Sequence, residues 1–426
     1  MYTNQYQDVF FLYSMKKEIT KIRFNIFDLN FILSFAGFAI FTTFAESVSS
    51  IAYRAVALGV ALLCFVGSGI HYNKLPNKAK WLLWFIVLLH IKSYFFCIAS
   101  TNYIFNFALV YMFGVVLVPF LAFVFSYRKI NWDIVLPILA VLLILTIFQG
   151  IISAMSADTL ERVELNSRQS TLAFGDNSSY LFVIGITILK SATKKSNNWG
   201  FVFTQFLAVV AVIISIYGIA KAGSRGPLMA AVMAGLFILL TLKTHKGITV
   251  VVIAIMIANF SGLTSKSLEN FAPVLFSRMN STMEEGDMSG RDILYKEAIE
   301  KILDNPLIGD NPIILLGNGE EFTSYHNGYL DIGVGLGIIG FALYVYLNIW
   351  IILKLFSYRH QLFRHKQIFL STMFFLSATR AMSGASLLSN TNYAISLLSA
   401  IMIIYELERK QQIKRLILKK RKTRRI

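Results

Sequence analysis

Three arginines lie in short polar motifs beside apolar stretches, where a guanidinium group could bind an anion. Arg168 belongs to NSRQS, Arg225 to AGSRGPLM and Arg291 to SGRD. The planar, permanently charged guanidinium forms paired hydrogen bonds with phosphate oxygens. These motifs predict a phosphate-binding site, and an ion pair with a nearby carboxylate is the alternative for each arginine taken alone.

His326 is the candidate proton acceptor. An imidazole can take a proton near neutral pH, which an attacking hydroxyl group needs to lose. By the topology argued below, it is the only one of the six histidines on the outer face of the membrane. A histidine that caps or hydrogen-bonds a loop is the alternative.

Two small polar residues accompany these side chains. Ser224 precedes Arg225, and Pro227 suits the first turn of a helix, so Ser224 should lie at a helix N-terminus, where an anion is stabilised. Asn327 follows His326 immediately. We include both residues in the predicted substrate-binding site.

Composition identifies the environment of these residues. The 426 residues are 56% hydrophobic, with a mean hydropathy of +0.62, which is too apolar for a soluble globular protein. The net charge of +17 comes mostly from Lys and Arg beside apolar stretches, which favours membrane orientation over a nucleic-acid partner. Cys64 and Cys97 lie inside apolar stretches, so we expect neither disulfides nor a metal site.

About twelve continuous apolar stretches predict an all-α integral membrane protein, since roughly 20 residues of helix cross the hydrocarbon core. We expect one polytopic domain over residues 1–426. The predicted spans are 26–45, 51–70, 81–100, 104–126, 134–155, 171–190, 200–220, 227–242, 248–262, 329–355, 368–386 and 392–407.

Lys and Arg concentrate in alternate loops, which predicts that those loops and both termini are cytoplasmic. The polybasic tail, 408–426, would lie on that side, and we interpret it as an anchor of this topology, with attraction to anionic lipid as the alternative. The opposite loops include the longest one, 263–328. Long loops are often functional. Apolar residues at helical spacing predict a helix there that lies on the membrane surface or packs on the bundle, and that ends at Asn305-Pro306: Ile293, Leu294, Ala298, Ile299 and Ile302.

Charged residues also fall inside the predicted spans. Arg380 and Asp176 lie in the outer halves of theirs and could extend the anion site inward, with an intramembrane ion pair as the alternative. For Arg54 and Lys92 we prefer ion pairing or snorkelling. Arg162 and Arg278 lie in outer loops without a distinctive motif, and for them we also prefer ion pairs.

Three segments together resemble the O-antigen polymerase and O-antigen ligase superfamily of bacterial envelope polysaccharide enzymes (the Wzy/WaaL type). They are SRGPLM, SGRDILYKEAI…NPLIGDNP and HNGYLDIGVGLGIIGF, in that order. The resemblance spans roughly residues 165–345. It implies a GT-C-like, metal-independent glycosyltransferase of the bacterial inner membrane, active on the periplasmic face, without a cofactor.

The resemblance also implies a substrate and roles for residues. The donor would be an undecaprenyl-diphosphate-linked oligosaccharide and the acceptor a glycan. The family's two functional arginines map onto Arg225 and Arg291, its histidine maps onto His326, and Arg168 is a looser match. The short spacing from Arg291 to His326 leans toward a polymerase. Whether a chain-length regulator binds stays open.

Three functions compete at this point. A polymerase would join repeat units on their lipid carriers, whereas an O-antigen ligase would move the finished glycan onto lipid A core. A flippase or other transporter of lipid-linked sugars would need a charged path through the whole membrane. The motif-borne charges favour the outer side, which argues against transport.

Overall fold

The computed structural model describes residues 24–37, 39–40, 50–68, 72–100, 116–156, 171–191, 199–241, 273–284, 291–316, 321–384, 387 and 390–423. Helices dominate this part of the chain. They are α1 Ile26–Ile32, α2 Ser50–Gly67, α3 Asn77–Ser100, α4 Val118–Ser126, α5 Trp132–Ser156, α6 Thr171–Ser191, α7 Trp199–Ala222, α8 Arg225–Leu240, α9 Pro273–Glu284, α10 Arg291–Asp304, α11 Gly328–Tyr358, α12 His365–Ala381 and α13 Thr391–Thr423.

The helices pack around one large apolar cluster. Phe31, Phe123, Phe237 and Phe374 are among its fully buried side chains. In the centre, α6 packs on α5, α7, α8 and α12, while α12 also packs on α8 and α13. This arrangement brings the beginning of α8 and the end of α12 together, at the end of the bundle that holds the predicted site.

The chain is a membrane protein with apolar helices. Of the described helices, four are long and apolar enough to cross a membrane, within Trp132–Ile152, Leu172–Ser191, Gly200–Ala222 and Gly328–Gln361. Outward side chains of α7, such as Phe203 and Phe206, are exposed, as a lipid-facing surface requires. A helix overlaps each predicted span among the described residues, whereas 248–262 lies outside them. The count of twelve and the orientation stay predictions.

The segment predicted to form the long outer loop contains regular structure. Helix α10 occupies the stretch where apolar spacing predicts it, and α9 precedes it. A small antiparallel hairpin, β1 Ile314–Leu316 and β2 Glu321–Thr323, was not predicted. The fold is therefore mainly rather than purely helical.

Helix α11 is interrupted at Gly337, where φ is +69° and ψ is −173°. The predicted span 329–355 is thus two helical segments joined at a kink, a feature that the apolar pattern did not show. The turn that follows α10 packs into this interruption, because Ile338 donates its N–H to the Pro306 carbonyl oxygen at 2.8 Å.

Candidate active site

His326 lies in the turn that leads into α11, and its backbone is held in a left-handed conformation, with φ at +52°. Its N–H donates to Ser324 Oγ at 3.3 Å. The preceding residue, Tyr325, donates its N–H to Asp331 Oδ1 at 3.0 Å, and Asp331 is buried. A carboxylate in the first turn of α11 therefore fixes the turn that presents the imidazole.

Asn327 is the N-cap of α11. Its Oδ1 accepts the N–H groups of Tyr329 at 3.0 Å and Leu330 at 3.4 Å. Such a cap satisfies backbone donors that the first helical turn leaves without partners. The structure thus gives Asn327 a structural function, and its predicted contact with substrate stays a prediction.

Positive charge surrounds His326. Partial burial lowers the pKa of its imidazole, and the charges of Arg291 and Arg380 lower that pKa further. Each of these effects disfavours the protonated ring. At neutral pH the ring is therefore neutral and able to accept a proton.

Arg380, near the end of α12, is almost fully buried and pairs with Asp176 of α6. Its Nε and Nη2 donate to the two carboxylate oxygens at 2.5 and 2.9 Å. Its Nη1 donates to Ser383 Oγ at 2.7 Å. Arg380 and Asp176 therefore form an intramembrane ion pair, which was the alternative that the sequence allowed for these residues.

Gly226 allows Arg380 to reach the beginning of α8. A Cβ atom at Gly226 would lie 2.6 Å from Arg380 Nη1 and 2.8 Å from Ser383 Oγ. The glycine of the SRG motif thus permits a close approach between α8 and α12. It connects the Arg225 motif to the arginine that lies beside His326.

Ser224 and Arg225 begin α8, as Pro227 in the first turn predicts. Ser224 is buried at the N-cap position but forms no side-chain cap; its Oγ lies 3.5 Å from the Ala222 carbonyl oxygen. Arg225 Nη1 donates to the Arg278 carbonyl oxygen at 3.1 Å. The beginning of α8 thus combines a positive side chain with the positive end of a helix dipole.

Arg278, for which the sequence favoured an ion pair, lies close to the beginning of α8. It lies on α9, and its Nη1 donates to the Gly223 carbonyl oxygen at 3.4 Å. Together with the bond from Arg225, this contact ties α9 to the turn before α8. No motif around Arg278 indicated this contact, since the acceptor is a backbone carbonyl group.

Arg291 begins α10, and packing of that helix places it near His326. Ala298 of α10 is buried against Tyr325 and Val334. Tyr295 also lies within 3.5 Å of the Met382 carbonyl oxygen, beyond the end of α12. These contacts join the helix that carries Arg291 to the elements that carry His326 and Arg380.

The predicted residues therefore fall into two groups. Arg291, Arg380 and His326 are close enough to interact electrostatically, and Gly226 contacts Arg380 directly beside Arg225 and Ser224. Arg168 lies outside the described residues. A cluster of arginines beside a neutral histidine can bind a polyanionic group and accept a proton next to it.

Comparison with protein families matches residues 210–345 to a family described as O-antigen ligase. The match covers the predicted residues Ser224, Arg225, Arg291, His326 and Asn327. It confirms the resemblance, predicted from the three motifs, to the O-antigen polymerase and ligase superfamily. A search of curated proteins found no significant match.

Proposed function

We propose that this membrane protein, which carries an O-antigen ligase family domain over residues 210–345, is a polymerase of O-antigen or a related surface polysaccharide. It joins repeat units that are linked to undecaprenyl diphosphate, on the periplasmic face of the bacterial cytoplasmic membrane. The location of His326 beside Arg291 and Arg380 supports this proposal most directly.

The reaction proposed is a single displacement. A hydroxyl oxygen of the acceptor sugar attacks the anomeric carbon of the donor and forms the new glycosidic bond. The bond from that carbon to the diphosphate oxygen breaks, and undecaprenyl diphosphate leaves with its electron pair. The anomeric configuration is inverted because one attack occurs from the face opposite the leaving group.

The arginines would act on the leaving group. Arg225 and Arg291 bind the diphosphate oxygens and stabilise the negative charge that grows as the sugar–phosphate bond breaks. Arg380 would lie beside the bound diphosphate with its guanidinium held in place by Ser383 and by Asp176, whose carboxylate balances its charge. Arg168, Ser224 and Asn327 complete the proposed binding site.

His326 would accept the proton of the acceptor hydroxyl. A neutral imidazole is needed for this step, and partial burial together with the two arginines lowers the pKa of His326. A hydrogen bond from the ring to the diphosphate is a second role for the same residue. In that role His326 would act in donor binding, whereas a base would act mainly in turnover.

The decisive experiment uses purified protein with a synthetic lipid-diphosphate repeat unit, and the products are separated by size. A ladder of lengthening glycans is expected from a polymerase. Transfer of a preformed glycan to lipid A core, without lengthening, would instead identify a ligase. No product with either acceptor would contradict both assignments.

An O-antigen ligase is the second candidate, because the matched family carries that description. Both enzymes would use the same donor chemistry and differ in the acceptor. Surface polysaccharide of a deletion strain separates them. Loss of a polymerase leaves single repeat units attached to lipid A core, whereas loss of a ligase leaves none attached.

The periplasmic placement has its own test. Cysteines introduced one at a time at exposed positions of α10, such as Lys296 and Glu300, should react with a membrane-impermeant reagent in cells with a permeabilised outer membrane. Cysteines in the polybasic tail should react only after the inner membrane is opened. The reverse pattern would overturn the proposed orientation.

A further inference from the structure

The interruption of α11 is filled by another part of the chain. In a continuous helix, the Ile338 N–H would bond to the Val334 carbonyl oxygen. Here Ile338 N–H donates to the Pro306 carbonyl oxygen at 2.8 Å, and the Val334 carbonyl oxygen accepts the Asp310 N–H at 2.5 Å. Segment 306–310 thus replaces one helical hydrogen bond with two bonds of its own.

Two glycines make this insertion sterically possible. Gly309 and Gly337 both have positive φ angles, of +73° and +69°. A Cβ atom at Gly309 would lie 2.5 Å from the Gly337 nitrogen, and one at Gly337 would lie 2.5 Å from the Pro306 oxygen. The inserted segment and the helix therefore meet backbone to backbone.

Lys92 of α3 completes the junction. Its Nζ donates to the Gly335 carbonyl oxygen at 2.7 Å and also to the Ile308 carbonyl oxygen. The first acceptor lies on the segment of α11 before the interruption, and the second lies on segment 306–310. One ammonium group thus bridges the two pieces from a third helix.

The junction connects the helix that carries Arg291 to the helix that follows His326. Segment 306–310 directly follows α10, which begins with Arg291. The first part of α11 directly follows His326 and its cap, Asn327. A displacement of segment 306–310 would therefore move the helix of Arg291 relative to His326.

We propose that Lys92 is a positioning residue that holds segment 306–310 in the interruption of α11 and so sets the geometry between Arg291 and His326. The role in turnover rests on the proposed glycosyl transfer, whereas the role in positioning does not. This positioning role would also explain how α3, which lies outside the matched residues 210–345, contributes to the site. Lys92 also interacts electrostatically with Asp310, at the end of the same segment, so the ion pair preferred from the sequence is accompanied by hydrogen bonds to carbonyl groups.

The first test compares Lys92→Met with Lys78→Met. Lys78 lies on the same helix and contacts the later part of α11, with its Nζ 4.2 Å from the Trp350 ring centroid. We expect Lys92→Met to lower kcat roughly 10- to 100-fold, since small misplacements of reacting groups are costly. The kcat of Lys78→Met should stay near that of the wild type. Lys92→Arg, which keeps the charge, should retain most of the turnover that Lys92→Met loses.

The second test measures position without activity. In a cysteine-free background, spin labels at Lys296 of α10 and at Ile349, a 51% exposed side chain of α11, report the distance between these helices. Lys92→Met should shift or broaden the distance distribution, and Lys78→Met should not. Wild-type kcat in Lys92→Met, or a loss of kcat with an unchanged distribution, would overturn the proposal.

The two measurements separate this proposal from the proposed function. If wild-type protein transfers no sugar from the lipid-diphosphate donor, the proposed function fails, while the distance distribution still decides the role of Lys92. If transfer occurs but the labels report no change in Lys92→Met, only the role of Lys92 fails.

Discussion

Two histidines at the beginnings of neighbouring helices have opposite surroundings. His326 precedes α11 and lies beside the positive charges of Arg291 and Arg380. His365 begins α12 at the other end of the bundle, and its Nδ1 lies 2.7 Å from Asp133 Oδ1. One ring is surrounded by charge of the sign that opposes its protonation, whereas the other contacts a carboxylate.

The same contrast extends to the neighbouring charges. At the end with His365, which we predict to be cytoplasmic, lysines pair with carboxylates: Lys354 with Glu408 at 2.6 Å and Lys366 with Glu406 at 2.8 Å. At the end with His326, Arg291 and Arg380 both lie near one imidazole, and Arg380 is paired with Asp176. Ion pairs are typical of structural contacts, whereas the further positive charge of Arg291 beside the imidazole suits an anion that comes from outside the protein.

The largest expected difference between the two ends is in catalysis. We expect His326→Ala to lower turnover about 100-fold or more, because a positioned general base contributes on that scale. Donor binding should be largely retained. The in vitro transfer assay measures turnover, and donor affinity is measured separately by equilibrium binding.

The matched control is His365→Ala. Its turnover should stay within about twofold of the wild-type value, because exposed ion pairs contribute little to stability. A fall in donor affinity along with turnover in His326→Ala would favour hydrogen bonding to the diphosphate over base catalysis. Full activity in His326→Ala would remove the residue from the mechanism.

The next prediction concerns the effect of the arginines on turnover. We expect Arg225→Ala and Arg291→Ala each to lower turnover about 30- to 1000-fold, since a lost charged donor costs roughly 2–4 kcal/mol of transition-state stabilisation. Arg225→Lys keeps the charge but not the planar fork, so it should recover only part of the rate. Near-normal turnover of both alanine variants at saturating donor would contradict the anion site.

Several parts of this site could be predicted from the sequence. Pro227 indicated the beginning of α8 and apolar spacing indicated α10, whereas phosphate binding by the arginines stays a prediction. Local patterns suffice for such features because the interacting residues lie within one helical turn or one motif.

Features that depend on distant partners could not be predicted. The segments joined at Gly337 are apolar on both sides of the interruption, so hydropathy shows one span. Lys92 bonds to carbonyl groups more than 200 positions away, and carbonyl groups leave no signal in residue type. An ion pair was the alternative for Arg380 and for Asp176, but only the packing of α12 on α6 shows that they pair with each other.

Ion pairs at the two ends should also differ in their contribution to stability. Side chains of Arg380 and Asp176 are 5% and 18% exposed, so Asp176→Asn leaves a buried positive charge without its carboxylate. We expect a loss of about 3–5 kcal/mol in stability. Glu408→Gln, at the partly exposed pair with Lys354, should cost at most about 1 kcal/mol. Thermal unfolding of both variants in nanodiscs tests the comparison, and equal shifts in Tm would contradict it.

The smallest expected effect is a shift in pH dependence. Because burial, Arg291 and Arg380 lower the pKa of His326, kcat/KM of the wild type should fall at a lower pH than an unperturbed histidine would give. Arg291→Gln removes a positive charge near His326 and should therefore raise its pKa, so the acid limb of kcat/KM should move to higher pH. Arg291→Lys keeps the charge, so its acid limb should stay at the pH of the wild type. Bound diphosphate, which is negative, should likewise place the acid limb of kcat at higher pH than that of kcat/KM. The kcat/KM profiles are recorded at donor concentrations well below KM, and the kcat profiles are recorded at saturating donor. An acid limb at the same pH in wild type and Arg291→Gln would show that the titrating group is not a histidine beside Arg291.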